Sequence, residues 1–366
     1  MIEYGFERCV VDPCLYKYVV GGSGSILICA VHVDDVLCGY NDANSMDDFE
    51  KAFAKRFNAS RVGASTYLGA EITRDRDART ITMTQRVYIE KMASKYLVGG
   101  NTKKWTTPID MSREGGAKFL ALTVADGERE VNEMSGKDFS GLLGSLLYAA
   151  CMTRPDIAYY VSFLCQFMQQ PSPAAWECAI SVLSYLHTTM NKGIRYGGPE
   201  RECAVPDAGG MHFKVFADAS FGREVHPFYG GFIEWRNGPL VWYAGKAKFA
   251  PQSSCEIETA AMVRMLKEER FAVQVGEFMG IEFDGPTVCI TDNKATYDIV
   301  RNPGATKRTA HFDRWLHFAR ELYLKNAIKI YLTTTDKMMA DIMTKPTDKT
   351  TFLRCCAYIL TDGHVD

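Results

Sequence analysis

Beyond His212 the chain alternates short apolar runs with amphipathic ones, and this alternation limits its possible folds more than any other feature. His212 to Ala219 alternates as a strand, placing Phe213, Val215 and Ala217 opposite Lys214, Phe216 and Asp218. Gly230 to Glu234 and Leu240 to Ala244 flank Arg236-Asn237-Gly238, a strong hairpin signal. A long helix is predicted from Ser254 to Gln274, a short buried strand at Thr287 to Thr291, and a helix from Asn293 to Val300. A helix at Ala310 to Leu324, a strand at Ile328 to Leu332 and a last helical region from Lys337 to Met343 follow. The order is βββαβααβα, which describes a mixed α/β layer fold, a mixed sheet flanked by helices.

The preceding residues read differently. Ser25 to Val36 is an apolar run ending in two aspartates, with Gly21-Gly22 before it and Gly39 after it. It predicts a hairpin with Asp34-Asp35 at its turn. Ser45 to Phe57 has helical spacing in Met46, Phe49, Phe53 and Phe57, and Ser45 is the expected cap. Strands are expected at Tyr67 to Thr73 and Thr80 to Thr84, and a helix at Val87 to Tyr96. Gly99 to Asp138 is rich in Gly, Thr and charge and reads as a linker. Phe139 to His187 is helical, broken at Arg154-Pro155 and at Gln170 to Pro173. Gly197 to Gly210, with two prolines and four glycines, is the expected main boundary. The division predicted is 1–100, 101–200 and 211–366, the middle part being linker and helices.

Composition supports buried cores. The 366 residues are 47% hydrophobic and 23% charged, as in globular chains. No apolar run approaches the roughly 18 residues of a membrane span, and the start MIEYGFERCVVDP lacks an apolar signal core. The twelve cysteines stand mostly singly within apolar stretches and form no CxxC pair, which points to reduced, buried thiols inside the cell. A net charge of −2 gives no reason to propose a nucleic-acid partner. Seven basic residues against two acids between Arg301 and Lys329 could follow a phosphate backbone or form a solvated helix face.

Four acids occupy positions where strands or helices would aim them together: Asp218, Glu258, Asp292 and Asp341. Asp218 and Asp292 end strands and would share one sheet edge, where ligands bind in open α/β sheets. Acids at strand ends are also commonly turn residues or helix caps, and spacing alone does not choose. Clustered carboxylates repel unless hard cations neutralise them, and oxygen-only ligands suit two Mg²⁺ or Mn²⁺ ions.

The motifs around these acids narrow the choice. FADASFG, WYAGK, SSCEIET, TDNK, RTAHFDRWLHFARE and ADIMTKP follow one another in the order found in copia-type (Pseudoviridae-like) retrotransposon ribonuclease H, which this portion resembles. The resemblance implies a ribonuclease H-like fold and two-metal hydrolysis of the RNA strand of an RNA–DNA hybrid. Asp218, Glu258, Asp292 and Asp341 would be the catalytic metal ligands, with Glu256 the weaker candidate beside Glu258. Lys246, Lys248, Asn293, Lys294, Arg308, His311 and His317 would be candidate nucleic-acid contacts, the two histidines being equally at home as packed or solvated surface residues. The sequence departs from the usual pattern at Thr259 and at Ala310, where a tyrosine and a lysine are expected, which puts substrate contacts in question.

The first half resembles the same element's reverse transcriptase, through VHVDDVL, STYLGAEITRD and GSLLYAACMTRPDIAYY. Asp34 and Asp35 would be vestigial polymerase ligands, and Leu68-Gly69 part of the primer-grip hairpin. The strand carrying a third aspartate would lie before Met1, and His32 replaces the turn's tyrosine. DNA synthesis by this chain alone is therefore not expected, and the shortened palm is expected to expose an apolar face near Leu27 to Val36. A relic without catalysis and a domesticated nucleic-acid-binding module are the alternatives to an active hybrid ribonuclease. Further partners would be other parts of the polyprotein, in the cytoplasm (within the element's particle) or the nucleus.

Overall fold

The computed structural model describes residues 1–20, 24–98, 105–199, 212–222, 227–302 and 312–362. These group into two compact units, one of Met1–Leu68 with Glu268–Asp284, the other of Gly69–Lys267 with Gly285–Asp366.

In the first unit Glu7–Arg8, Leu15–Val19, Ile26–His32 and Asp35–Tyr40 form an antiparallel sheet in chain order. The expected hairpin is present, turning at Val33-Asp34, with His32 opposite Asp35. Val33 has φ 51°, a left-handed value that a β-branched residue rarely adopts. The helix Ala43–Phe57 is capped by Asp42, not Ser45. The Asp42 carboxylate accepts from the Ser45 amide at 2.8 Å and from its hydroxyl at 2.6 Å, so the serine lies inside the first turn. Leu27 and Cys29 are fully buried with Phe6, Met46 and Phe49 in a small core. The expected bare face around Leu27 is thus covered on this side by the helix and the first residues.

The second unit holds two sheets around one large core. Ala70–Asp75, Thr80–Thr84, Lys192–Gly197 and Thr361–Asp362 pair antiparallel in that order. Helices Arg86–Tyr96, Phe139–Met152, Ala158–Leu164 and Pro173–Thr188 form where periodicity places them. The stretch read as a linker carries helices Arg113–Leu120 and Gly127–Glu133, and Phe119 is completely buried. These helices are short and contain glycine, so their apolar period is faint. The boundary expected at 197–210 falls mainly outside the described residues.

The second sheet comprises β1 (Lys214–Ala219), β2 (Phe228–Trp235), β3 (Gly238–Lys246), β4 (Thr287–Thr291) and β5 (Ile328–Leu332), in spatial order β3-β2-β1-β4-β5. The first three are antiparallel; β4 runs parallel to both β1 and β5. Arg236 and Asn237 both take left-handed φ in the β2–β3 turn, as a two-residue hairpin requires. A side chain at Gly231 would collide with the Phe216 carbonyl, so glycine there lets β2 approach β1. Helix α1 (Ser254–Met279) exceeds its predicted end, and α2 (Lys294–Arg301) and α3 (Asp313–Leu324) lie near their expected places. Met339–Met343 is a buried 3₁₀ turn rather than the start of a helix. Pro346 disfavours helical geometry at Lys345, so the true last helix, α4 (Lys349–Ile359), begins after it, capped by Asp348. Phe216 stacks on Phe232 with ring centroids 4.6 Å apart, and both join Leu142, Leu146, Phe352 and Ile359 in the core.

A buried ion pair ties the helices of this unit. Arg154 donates to both Asp156 oxygens, at 2.9 and 2.7 Å, and to the Thr189 carbonyl at 3.0 Å, while the Tyr185 hydroxyl donates to Asp156 at 2.6 Å. Neither Arg154 nor Asp156 reaches solvent, and each finds its hydrogen-bond partners within the protein.

Candidate metal centre

Parallel pairing of β1 and β4 brings their carboxyl ends to one sheet edge. Asp218 is the penultimate residue of β1, and Asp292 directly follows β4. Glu258 projects from the second turn of α1 toward the same place. Carboxylate oxygens of Asp218, Glu258 and Asp292 lie within 4.8 Å of one another. Asp218 and Glu258 are buried and Asp292 is half-buried.

The start of α1 explains which glutamate of CEIE faces the site. The Ser253 hydroxyl accepts from the Glu256 amide at 3.2 Å, and the Glu256 carboxylate reaches back to the Gln252 amide at 2.6 Å. This is a capping arrangement that occupies Glu256 at the helix terminus. Glu258 is left to enter the cluster, and its Oε2 is buried without a hydrogen-bond partner.

Asp341 stands beside this group rather than within the close trio. Its carboxylate pairs with the Lys345 ammonium at 2.8 Å, and the same ammonium lies 3.4 Å from Asp218. The Thr344 hydroxyl donates to Asp218, and the Thr335 hydroxyl donates to Asp292 at 2.8 Å. Sequence reasoning missed Thr335, Thr344 and Lys345. For the last two the signal was present in ADIMTKP, since residues three and four after Asp341 return to it in a tight turn.

Electrostatics follow from this crowding. Burial pushes the Asp218 carboxyl up to about 6, the Asp341 and Asp292 charges add to this, and Lys345 opposes it. Burial, then the Asp218 and Asp292 charges, hold Glu258 well above the usual carboxylate range. Asp341 is also raised, first by burial. Burial alone would pull Lys345 down, but the Asp218 and Asp341 carboxylates outweigh it and hold the ammonium above the ordinary lysine range. Crowded, dehydrated carboxylates of this kind are stabilised by positive charge, and an oxygen-only donor set with an unpartnered glutamate oxygen fits a hard divalent cation.

The candidate nucleic-acid contacts are placed variously. Asn293 caps α2, accepting from the Thr296 amide at 2.9 Å. Lys294 pairs with Asp298 at 2.8 Å, Lys246 donates to Gln166 at 2.6 Å, and Lys248 and His317 are exposed. Arg308 and His311 lie outside the described residues. Of the basic run, Arg320 is buried and donates to the Ile299 carbonyl at 2.9 Å, so it packs α3 against α2. In the first unit Asp34 and Asp35 are both exposed, and among the described residues no metal-binding trio includes them.

A mixed sheet in the order β3-β2-β1-β4-β5, with carboxylates converging at the ends of β1 and β4, defines a ribonuclease H-like fold. Residues 1–111 match the family described as "Reverse transcriptase (RNA-dependent DNA polymerase)". The chain is 26% identical over 348 residues to the "Retrovirus-related Pol polyprotein from transposon TNT 1-94" of Nicotiana tabacum, covering 94% of this chain and 25% of the relative. It is 26% identical over 357 residues to the "Retrovirus-related Pol polyprotein from transposon RE2" of Arabidopsis thaliana, covering 96% and 23%. The chain is thus similar to the Pol region of copia-type retrotransposons, with the reverse transcriptase match ahead of the ribonuclease H-like fold. The chain spans about a quarter of the length of these curated relatives. Among solved structures, the N-terminal RNase H domain of rv2228c from Mycobacterium tuberculosis aligns at 14% identity and a TM-score of 0.28, over 40% of this chain and 97% of that one. The foamy viral protease-reverse transcriptase dRH in complex with ds DNA aligns at 11% identity and a TM-score of 0.40, over 86% and 46%. Likenesses this slight add no weight to the topology.

Proposed function

We propose that this chain cleaves the RNA strand of an RNA–DNA hybrid at the cluster of Asp218, Glu258 and Asp292, with Asp341 as the fourth acid. The observation that carries this reading is the convergence of three carboxylates within 4.8 Å at a sheet edge, one of them with a buried, unpartnered oxygen. Asp218, Glu258 and Asp292 would hold the ions, Mg²⁺ or Mn²⁺, with Asp341 beside them. Two such ions, when bound, supply water activation and charge neutralisation for displacement at phosphorus. The chain's own part is to fix the acids before substrate arrives. Thr344 and Thr335 orient Asp218 and Asp292, and the Ser253–Glu256 cap holds the first turns of α1 so that Glu258 is aimed.

The same reading assigns no polymerase chemistry to Asp34 and Asp35, because among the described residues no third acid joins these two exposed ones, and a two-ion centre needs more ligands than they supply. Lys248 and His317, being exposed, remain free to meet a phosphate backbone. The partners proposed are the hybrid and other parts of the polyprotein, with a site of action in the cytoplasm or the nucleus. No helix among the described residues is long and apolar enough to cross a membrane.

A labelled hybrid incubated with the full chain tests the proposal. RNA-strand cleavage that requires Mg²⁺, stops in chelator and vanishes in Asp218→Asn is expected. Binding of the hybrid without cleavage would instead identify a non-catalytic, nucleic-acid-binding relic or domesticated module.

A further inference from the structure

The first unit holds a pair of thiols that the ribonuclease reading does not use. Cys29 lies in the strand Ile26–His32 and Cys38 in the strand Asp35–Tyr40, directly opposite each other in antiparallel register. Their sulfurs are 3.4 Å apart. Residues so opposed have Cα atoms about 4.5 to 5.5 Å apart, inside the roughly 4.4–6.8 Å window of disulfides. The two cysteines differ in access: Cys29 is fully buried in the small core with Leu27 and Phe49, and Cys38 is half-buried. They also differ in acidity. The contact with Cys29 holds the Cys38 thiol below the usual thiol range; burial opposes this, and the Arg61 guanidinium assists it. Cys29 is raised, by its bond to Cys38 and by burial. The pair therefore has one accessible sulfur disposed to be a thiolate and one sheltered sulfur beside it, the pattern of an attacking and a resolving thiol.

We propose that Cys29 and Cys38 are a reversible disulfide-exchange site for low-molecular-weight disulfides of the glutathione class. The Cys38 thiolate attacks one sulfur of the reagent, whose S–S bond breaks and releases one thiol. The Cys29 sulfur then gives up its proton and attacks the Cys38 sulfur of the mixed disulfide, expelling the second thiol. Two protein thiols are oxidised, one small disulfide is reduced to two thiols, and the two protons pass to the released thiols. The bond ties the two strands on either side of the Val33-Asp34 turn, so the hairpin opens less readily.

The full chain, incubated without denaturant in defined mixtures of oxidised and reduced glutathione, then alkylated and digested with trypsin, provides the test. The segment Tyr18 to Lys51 contains Cys29 and Cys38 and no other cysteine. The expected product is that peptide about 2 Da lighter and unalkylated, reverting on addition of excess reduced glutathione. Cys29→Ser removes the resolving thiol and should trap glutathione on Cys38, whereas Cys38→Ser should leave Cys29 unmodified. If Cys29→Ser does not fold, Cys29→Ala serves in its place, and the wild-type result stands independently of either. Double alkylation of the wild-type peptide at every ratio would overturn the proposal. So would glutathione trapped on Cys29 rather than Cys38, or oxidation that appears only in denaturant.

Discussion

The two regions that carry paired aspartates treat them in opposite ways. In the hairpin of the first unit, Asp34 lies in the exposed Val33-Asp34 turn and exposed Asp35 starts the next strand, and among the described residues neither joins a cluster of potential metal ligands. At the edge of the second sheet, Asp218 is 1% exposed, Glu258 7% and Asp341 4%, and they crowd together with half-buried Asp292. The residue types are nearly the same, and the surroundings decide what they can do. A carboxylate left in water is a solvated charge. Carboxylates drawn out of water against one another form a site that positive charge stabilises.

The sharpest way to break this contrast is to neutralise one acid in each region. Asp218→Asn should lower metal-dependent cleavage of a labelled hybrid by at least about 100-fold, the upper end of what losing an outer-shell partner alone costs. Asp34→Asn should leave the rate unchanged, and comparable losses in both variants would show that the turn takes part. Stability offers a second contrast, read by urea denaturation. Asp156→Ala strands the buried Arg154 guanidinium and should cost about 3–5 kcal/mol. Asp35→Ala, at an exposed position, should stay within roughly 0.5 kcal/mol.

The response to pH follows from the raised acid. Asp218 binds its proton more tightly folded than unfolded, so its contribution to stability is fully present below pH 3.8 and is lost as pH rises through about 6. In chelator, the chain should lose up to about 3 kcal/mol from this group across that window. Added Mg²⁺ should recover most of it near neutral pH, and a flat profile in chelator would remove the crowding argument. The smallest expected effect distinguishes the neighbouring glutamates. Glu256→Gln should cost no more than about 1 kcal/mol through the helix cap, without abolishing Mn²⁺ binding measured by spin resonance. Glu258→Gln should weaken that binding at least about tenfold.

The second sheet was legible because strict alternation, a tight Arg236-Asn237 turn and short connections leave little freedom in register. The acids at its edge were legible for the same reason: a residue ending β1 and one following β4 must meet when those strands are parallel neighbours. Spacing could not say which of Glu256 and Glu258 faces inward, because both lie near the helix start. The choice rests on hydrogen bonds that Ser253 and Gln252 make with one of them. The surroundings of Asp341 were misread as helix, since the five residues Met339–Met343 are too few to show a period that would betray a 3₁₀ turn. Lys345 escaped notice because a lysine in a polar loop looks solvated until the fold turns it back onto two acids. The helices Arg113–Leu120 and Gly127–Glu133 were hidden by their brevity and their glycines.

Helix α1 begins in one compact unit and ends in the other, since Glu268–Asp284 groups with Met1–Leu68. Synthesis on the ribosome therefore delivers the first unit in two instalments separated by roughly two hundred residues. At about 5–20 residues per second, its early strands wait on the order of 10–40 s for their last piece to emerge. During that interval the nascent hairpin is exposed to chaperones, and no fragment ending near Leu68 contains a complete unit to fold.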